Sequence, residues 1–360
     1  MKTYPLAMVP GPVSLPRAVI EALTTNYGSA DLEAEFFDLY DRTVAGLQQI
    51  MATAETVVIQ SGEGMVVLWS ALKSCLAPGD RVLSVATGVF GHGIAEMAAA
   101  VGADVRKVSL PDDQTISALS EIEQAIAAFK PKMITVVHCE TPSGTLNPIA
   151  DLGRLKKALR VPLLYVDAVS SIGGAPVLTD DWHIDLCLGG AQKCLSAPPD
   201  MAFLSVSADA WEIVEQVNYA GYDALQTFRA VQQTRCFPYT PNWHGLAALH
   251  AGAQLILAEG LPAVFERHAM VADYCRRRLD DIGLRLFPAP GAVPSPTVTA
   301  VYLPASMPWS DFDTRLRKRG LVVGGSYGQL AGKIFRLGHM GSQSEETLVR
   351  RALDVIAEVL

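Results

Sequence analysis

No stretch of this 360-residue chain stays apolar for the roughly 18 residues that a membrane-spanning helix requires, although half of its residues are hydrophobic. The N-terminal Met1-Lys2-Thr3-Tyr4-Pro5 has no apolar core of the kind a secretory signal carries. The six cysteines, Cys75, Cys139, Cys187, Cys194, Cys236 and Cys275, form no Cys-x-x-Cys pair and mostly sit in apolar stretches, so reduced thiols are expected. Neither His-x-x-x-His nor His-Glu-x-x-His spacing occurs among the seven histidines, which argues against metal catalysis. The 29 basic residues are outnumbered by 37 acidic ones, and basic clusters occur only at Arg276-Arg277-Arg278 and Arg315 to Arg319, both in helix-like stretches. No nucleic-acid groove is expected. P-loop and Gly-x-Gly-x-x-Gly fingerprints are also missing. These absences lead to the expectation of a soluble, cytoplasmic protein with a large core.

What is present is an alternation. Short β-branched runs at Val57 to Gln60, Arg81 to Val85, Ile134 to His138, Leu163 to Val166 and Ile184 to Leu188 predict strands. Helical periods at Gly64 to Cys75, His92 to Val101 and Ile149 to Leu159 fall between them, the order of an α/β protein with a mostly parallel sheet. After about residue 240 the pattern changes to two long helices, Trp243 to Ala258 and Leu261 to Leu279, and then to short mixed elements. We expect residues 1–20, rich in proline, to form an extended arm outside either core. Residues 21–245 are expected to form a large α/β domain and 246–360 a smaller α+β domain.

In open α/β sheets, ligands bind at the carboxyl ends of strands. After the first strand, Ser61-Gly62-Glu63-Gly64-Met65 opens a helix whose free N–H groups favour a phosphate. Ala86-Thr87-Gly88-Val89-Phe90-Gly91 sets an aromatic ring at the next strand exit, where a planar ligand can stack. Cys139-Glu140-Thr141-Pro142-Ser143-Gly144-Thr145 is a hydroxyl-rich turn. Asp167 directly follows an apolar strand, a costly place for an acid unless it meets a cation such as a protonated ring nitrogen. Lys193 follows another strand through Gly189-Gly190-Ala191-Gln192 and precedes Ala197-Pro198-Pro199, a setting that desolvates an ammonium and yields a neutral amine able to form a Schiff base. An amine, an acid, a stacking ring and a helix N-terminus together describe a site for pyridoxal 5'-phosphate.

With these residues in place the chain resembles the fold-type I, class V aminotransferases, in particular the alanine–glyoxylate (serine–pyruvate) group. The resemblance runs through Gly11-Pro12, Ser61 to Gly64, Gly88 to Gly91, Glu140 to Gly144, Val166 to Ser171, Gln192-Lys193 to Pro199, Phe237-Pro238-Tyr239-Thr240-Pro241 and Gly332 to Met340, in the family's order. It implies a seven-stranded, mostly parallel sheet in the large domain. It implies further that Lys193 carries the cofactor as a Schiff base and later moves the Cα proton, while Asp167 pairs with the pyridine nitrogen. Phe90 and Val169 would cover the two ring faces, and Thr141 would lie near the phenolic oxygen. Gly64, Met65 and Gln192 would hold the phosphate, joined by Phe237 and Thr240 from the second subunit of a homodimer. Arg336 would clamp the substrate carboxylate, and Gly11, Glu63 and Tyr327 would border the substrate.

Three positions depart from the pattern, one of them Met65, which stands where some members carry histidine. Glu63 stands where many members carry a small residue. A glutamate there resembles the related pyridoxamine–pyruvate aminotransferase, which uses free pyridoxamine as donor and pairs that acid with an arginine where this chain has Tyr327. Glu63 would otherwise recognise a donor amine or hydrogen-bond neighbouring backbone. A cysteine desulfurase would need a mobile cysteine at the site's mouth, and the second domain offers only Cys275 in a helix. A non-catalytic protein would instead join Lys193 and Asp167 as a buried ion pair.

Overall fold

The computed structural model describes residues 2–360. The chain opens with β1 (Leu6–Met8), α1 (Arg17–Thr24) and α2 (Ala34–Met51). An alternating run follows: β2 (Thr56–Ser61), α3 (Gly64–Cys75), β3 (Arg81–Ala86), α4 (Val89–Ala100), β4 (Asp104–Ser109), α5 (Ser120–Phe129) and β5 (Met133–Val137). A small hairpin of β6 (Cys139–Glu140) and β7 (Thr145–Leu146) leads to α6 (Ile149–Ala158), β8 (Leu163–Asp167), β9 (Leu186–Gly190) and β10 (Met201–Val206). Then come α7 (Ala208–Val217), the single-turn α8 (Val231–Thr234), α9 (Trp243–Glu259) and α10 (Leu261–Asp281). The chain closes with β11 (Val298–Tyr302), α11 (Trp309–Lys318), β12 (Leu321–Val323), β13 (Ile334–Gly338) and α12 (Glu346–Val359).

Seven strands form the main sheet in the order β2-β10-β9-β8-β5-β3-β4. Only β10 runs against its neighbours, so the mostly parallel seven-stranded sheet that the resemblance implied is present. Strands β5 and β9 are buried along their whole length, as helices on both faces of a parallel sheet require. Because β10 reverses between β2 and β9, the carboxyl ends of β2, β9, β8, β5 and β3 share one edge. The small residues and polar turns that end these strands therefore meet there.

One apolar cluster covers the main sheet and includes Val19 of α1, Leu47 of α2 and Leu246, Leu249 and Ile256 of α9. A second gathers Leu6 and Met8 of β1, Val271 and Cys275 of α10, Phe312, Phe335, and Leu353 of α12. The proline-rich start is thus not an arm outside both cores. Leu6, Ala7 and Met8 pair in parallel with Leu321, Val322 and Val323, because alternate apolar residues bury one face of the segment in the second cluster. A divide at residue 245 also separates α9 from the sheet-side cluster against which its apolar residues pack.

Several boundaries shifted for local reasons. Strand β9 starts at Leu186 rather than Ile184, because Asp185 bonds Lys156, the Leu164 N–H and Ser207. Helix α4 starts at Val89 rather than His92, since the Glu140 carboxylate accepts the Phe90 and Gly91 N–H groups. Helices α9 and α10 meet at Gly260, φ +88°, and cross at 89°. Among the described residues no single helix is long and apolar enough to cross a membrane.

Candidate active site

At the shared strand edge one pocket brings together Glu63, Gly64, Met65 and Phe90 with Asp167, Val169, Gln192 and Lys193. Lys193 arrives from the turn after β9. The peptide behind it is locked, because the Ser342 N–H donates to Ser196 Oγ at 2.8 Å and a Cβ on Gly341 would lie 3.0 Å from the Lys193 carbonyl oxygen. Burial and then the charge of Arg336 push the Lys193 ammonium below the usual lysine range. Its Nζ donates to the Pro10 carbonyl at 2.5 Å, so Asp167 is not its hydrogen-bonded partner.

Asp167 ends β8, with one carboxylate oxygen accepting the Val169 N–H at 3.0 Å. Burial pushes this carboxyl up to about 6, against that N–H and Lys193, with Glu63 adding to the rise. Val169 is wedged between two glycines: a Cβ on Gly64 or Gly190 would lie 2.9 Å or 3.0 Å from its methyl groups. One wall of the pocket therefore depends on glycine.

At the start of α3, Glu63 is the N-cap and accepts the Met65 N–H at 3.0 Å. Its other oxygen lies 3.4 Å from Gln192 Nε2, and the Gln192 Oε1 is buried without a partner. Phe90 sits in the first turn of α4, held by the Glu140 carboxylate on its N–H at 3.1 Å and on that of Gly91 at 2.7 Å.

Arg336 lies in the middle of β13, buried at 3% exposure, and its Nε donates to the Gly325 carbonyl at 2.6 Å. The Tyr327 ring covers its guanidinium at 4.7 Å, while Tyr327 itself is 55% exposed. Gly11, φ +83°, lies against the lysine side chain, and a Cβ there would be 2.5 Å from Lys193 Cδ. Thr141 is buried in its turn and does not line the pocket. Phe237 packs among Phe36, Phe37 and Tyr40, and Thr240 is exposed, so neither lines the pocket of its own chain.

The sequence profile of the aminotransferase class-V family matches residues 10–340. The chain belongs to the class-V aminotransferase family. It is similar to the alanine–glyoxylate aminotransferase of Oryctolagus cuniculus, with 31% identity covering 99% of this chain and 92% of the relative. A pyridoxamine–pyruvate transaminase of Mesorhizobium japonicum is 31% identical over 98% of this chain and 90% of its own. Among solved structures, an alanine–glyoxylate aminotransferase from Nostoc sp. superposes with a TM-score of 0.95 at 29% identity, covering 100% of this chain and 96% of the other. The protein is a transaminase of fold type I.

In this class-V transaminase, sequence reasoning missed the part that three groups play at the pocket. Pro10 contacts Lys193 through its carbonyl oxygen, a group every residue has, so no side-chain signal marks it. Cys139 lines the pocket and its Sγ lies 3.2 Å from Ser295 Oγ, but the sequence offers only a lone thiol. Glu140 belongs to the hydroxyl-rich turn after β5, and only the fold shows which N–H groups it holds.

Proposed function

We propose that this transaminase moves an amino group from a small amino acid of the alanine or serine type to a small 2-oxo acid such as glyoxylate or pyruvate, with pyridoxal 5'-phosphate as cofactor. The observation that carries the reading is the pairing of Lys193 and Asp167 in one pocket without a bond between them. Each remains available to a ligand. A buried carboxylate with no hydrogen-bonded cation suits a protonated ring nitrogen. When bound, the cofactor supplies an electron sink for the substrate Cα.

The remaining roles belong to this chain's own groups. Asp167 would hold the ring proton, and Phe90 and Val169 would cover the ring faces; Thr141, buried behind the pocket wall, would act on the phenolic oxygen only if its turn moves. Gly64, Met65 and Gln192 hold the phosphate, aided by Phe237 and Thr240 of a second subunit in a cytoplasmic homodimer. Lys193 is the amine that would hold the cofactor and the base that would move the proton at the substrate Cα. Arg336 takes the substrate carboxylate in a bidentate grip, with Gly11 and Tyr327 at its border. The relatives named for alanine–glyoxylate transfer support this assignment.

Adding pyridoxal phosphate to wild type is expected to produce a visible absorbance band that Lys193→Ala abolishes. L-alanine and L-serine are then expected to bleach the band. A protein that stays colourless overturns the reading.

One observation favours a second reading, in which free pyridoxamine is the amino donor to pyruvate. The Glu63 carboxylate sits on the Met65 N–H, at the place where an anion would bind the start of α3. A relative of similar identity bears the name of that reaction. Pyridoxamine with pyruvate is then expected to yield pyridoxal and alanine, and the absence of both products ends this alternative.

A further inference from the structure

Lys193 is held from a side that the main sheet does not supply. Its amine rests on the carbonyl of Pro10, in the segment that leaves β1. The Val13 N–H donates to the Gln192 carbonyl at 3.2 Å and Ser342 Oγ donates to the Ser14 carbonyl, but one amide holds the segment on both sides of Pro10. Gln343, fully buried, donates through Nε2 to the Val9 carbonyl at 2.9 Å and to the Gly338 carbonyl at 2.6 Å, and its Oε1 accepts the Ser14 N–H at 3.3 Å. Both flanks of the Pro10 turn are thereby tied to the end of β13, the strand that carries Arg336. The packing leaves no slack. A Cβ on Gly338 would lie 2.5 Å from Pro10 Cα, and one on Gly324 would lie 2.7 Å from Pro10 Cδ. On the other side of the turn, Gly11 abuts the lysine side chain.

We propose that Gln343 is a positioning residue for Lys193: by pinning Val9 and Ser14 to the end of β13, it sets the Pro10 carbonyl as the resting acceptor of the lysine amine. The proposal rests on the reading of Lys193 as the reacting amine. A carbonyl acceptor stabilises the ammonium and fixes its position, and a released amine returns to one place rather than sampling the pocket. Burial and Arg336 act in the opposite direction, while Cys139, Cys194 and Asp167 are the other titratable groups that face the amine. The Pro10 contact therefore tips a balance, and loss of its anchor shifts Lys193 toward the neutral form.

Competitive acetylation with acetic anhydride across a pH series tests this on the full chain freed of bound cofactor, with Lys193 labelling read by peptide mass spectrometry. In Gln343→Leu the labelling midpoint is expected to fall by about one pH unit, a tenfold faster reaction below the midpoint. Gln343→Asn keeps an amide one methylene shorter, so its midpoint is expected between those of wild type and Gln343→Leu. It decides alone if the leucine variant does not fold. A midpoint unchanged or raised, alongside a lowered melting temperature, shows that the amide serves stability only and overturns the proposal. Failure of Lys193 as the cofactor lysine would appear separately, as no visible band in wild type, and leaves the labelling experiment intact.

Discussion

Two helices begin at the same edge of the sheet, each with a glutamate on its first N–H groups, and the two carboxylates live in different surroundings. Glu63 caps α3 from its own N-cap position, is half-buried, and spends one oxygen on the Met65 N–H. Its other oxygen has only Gln192, at 3.4 Å. Glu140 reaches α4 from a hairpin behind β5, is fully buried, and places one oxygen on Phe90 and the other on Gly91. The fit is tight enough that a Cβ on Gly88 would lie 2.7 Å from Glu140 Cδ. Both carboxylates answer the same need, since a helix start has orphan N–H groups and a positive dipole end. The difference is access. The Glu140 cap is sealed and holds Phe90 in place, whereas the Glu63 cap faces the pocket, where an outside anion can take over its N–H group.

The two caps are expected to differ most in what they contribute to stability. Glu140→Ala leaves one buried and one partly buried N–H group without an acceptor and is expected to cost about 3 kcal/mol, whereas Glu63→Ala, the loss of one half-exposed cap, is expected to cost about 1 kcal/mol. Urea unfolding at pH 8 measures both. Equal costs would show that Glu140 is no more structural than Glu63.

A second difference comes from pH. Burial pushes the Glu140 carboxyl up to about 7 from its ordinary 4.5, against the Gly91 and Phe90 N–H groups that hold it down. In the fold it therefore keeps its proton where the unfolded chain has lost it. The stability this contributes is complete below about 4.5 and is lost as pH rises through 7, at up to about 1.4 kcal/mol per pH unit. Asp167, pushed from 3.8 to about 6 by burial, acts with the same sign over a lower window. Unfolding free energies of the cofactor-free chain at several pH values are expected to decline across this range, and Glu140→Gln to decline less steeply. A wild type whose stability is flat from pH 4.5 to 7 contradicts the assignment.

The same pair explains what was legible in the sequence. Helix α3 is legible at its observed limits from its helical period, and its cap, Glu63, stands beside it in the chain. Helix α4 was started late because its cap comes from a residue distant in sequence, and Gly88-Val89-Phe90-Gly91 on its own reads as a turn. Strands β5 and β8 declared themselves as apolar β-branched runs, whereas β4, Asp-Val-Arg-Lys-Val-Ser at the sheet's edge, carries too little apolar pattern to do so. Lys193 and Asp167 could be singled out because a charge after an apolar strand is visible as a local anomaly. Their neighbours Pro10 and Gln343 could not, since one acts through its backbone and the other is a lone amide whose partners are distant in the chain.

The two carboxylates are also expected to differ in their effect on ligand affinity. If the Glu63 carboxylate occupies the anion position of α3, neutralising it deletes a negative charge beside any incoming phosphate and weakens its hold on the Met65 N–H. Glu63→Gln keeps the side-chain length and loses the charge, so its affinity for pyridoxal phosphate is expected to rise about tenfold, equivalent to about 1.4 kcal/mol. Its affinity for phosphate-free pyridoxal is expected to change little, and calorimetric titration of both ligands gives the ratio. Glu140→Gln serves as the control, because its carboxylate never meets the phosphate and the ratio should stay at the wild-type value. If Glu63→Gln leaves the ratio unchanged, the carboxylate already swings aside when phosphate arrives, and Glu63 is a cap like Glu140 rather than a competitor for the anion.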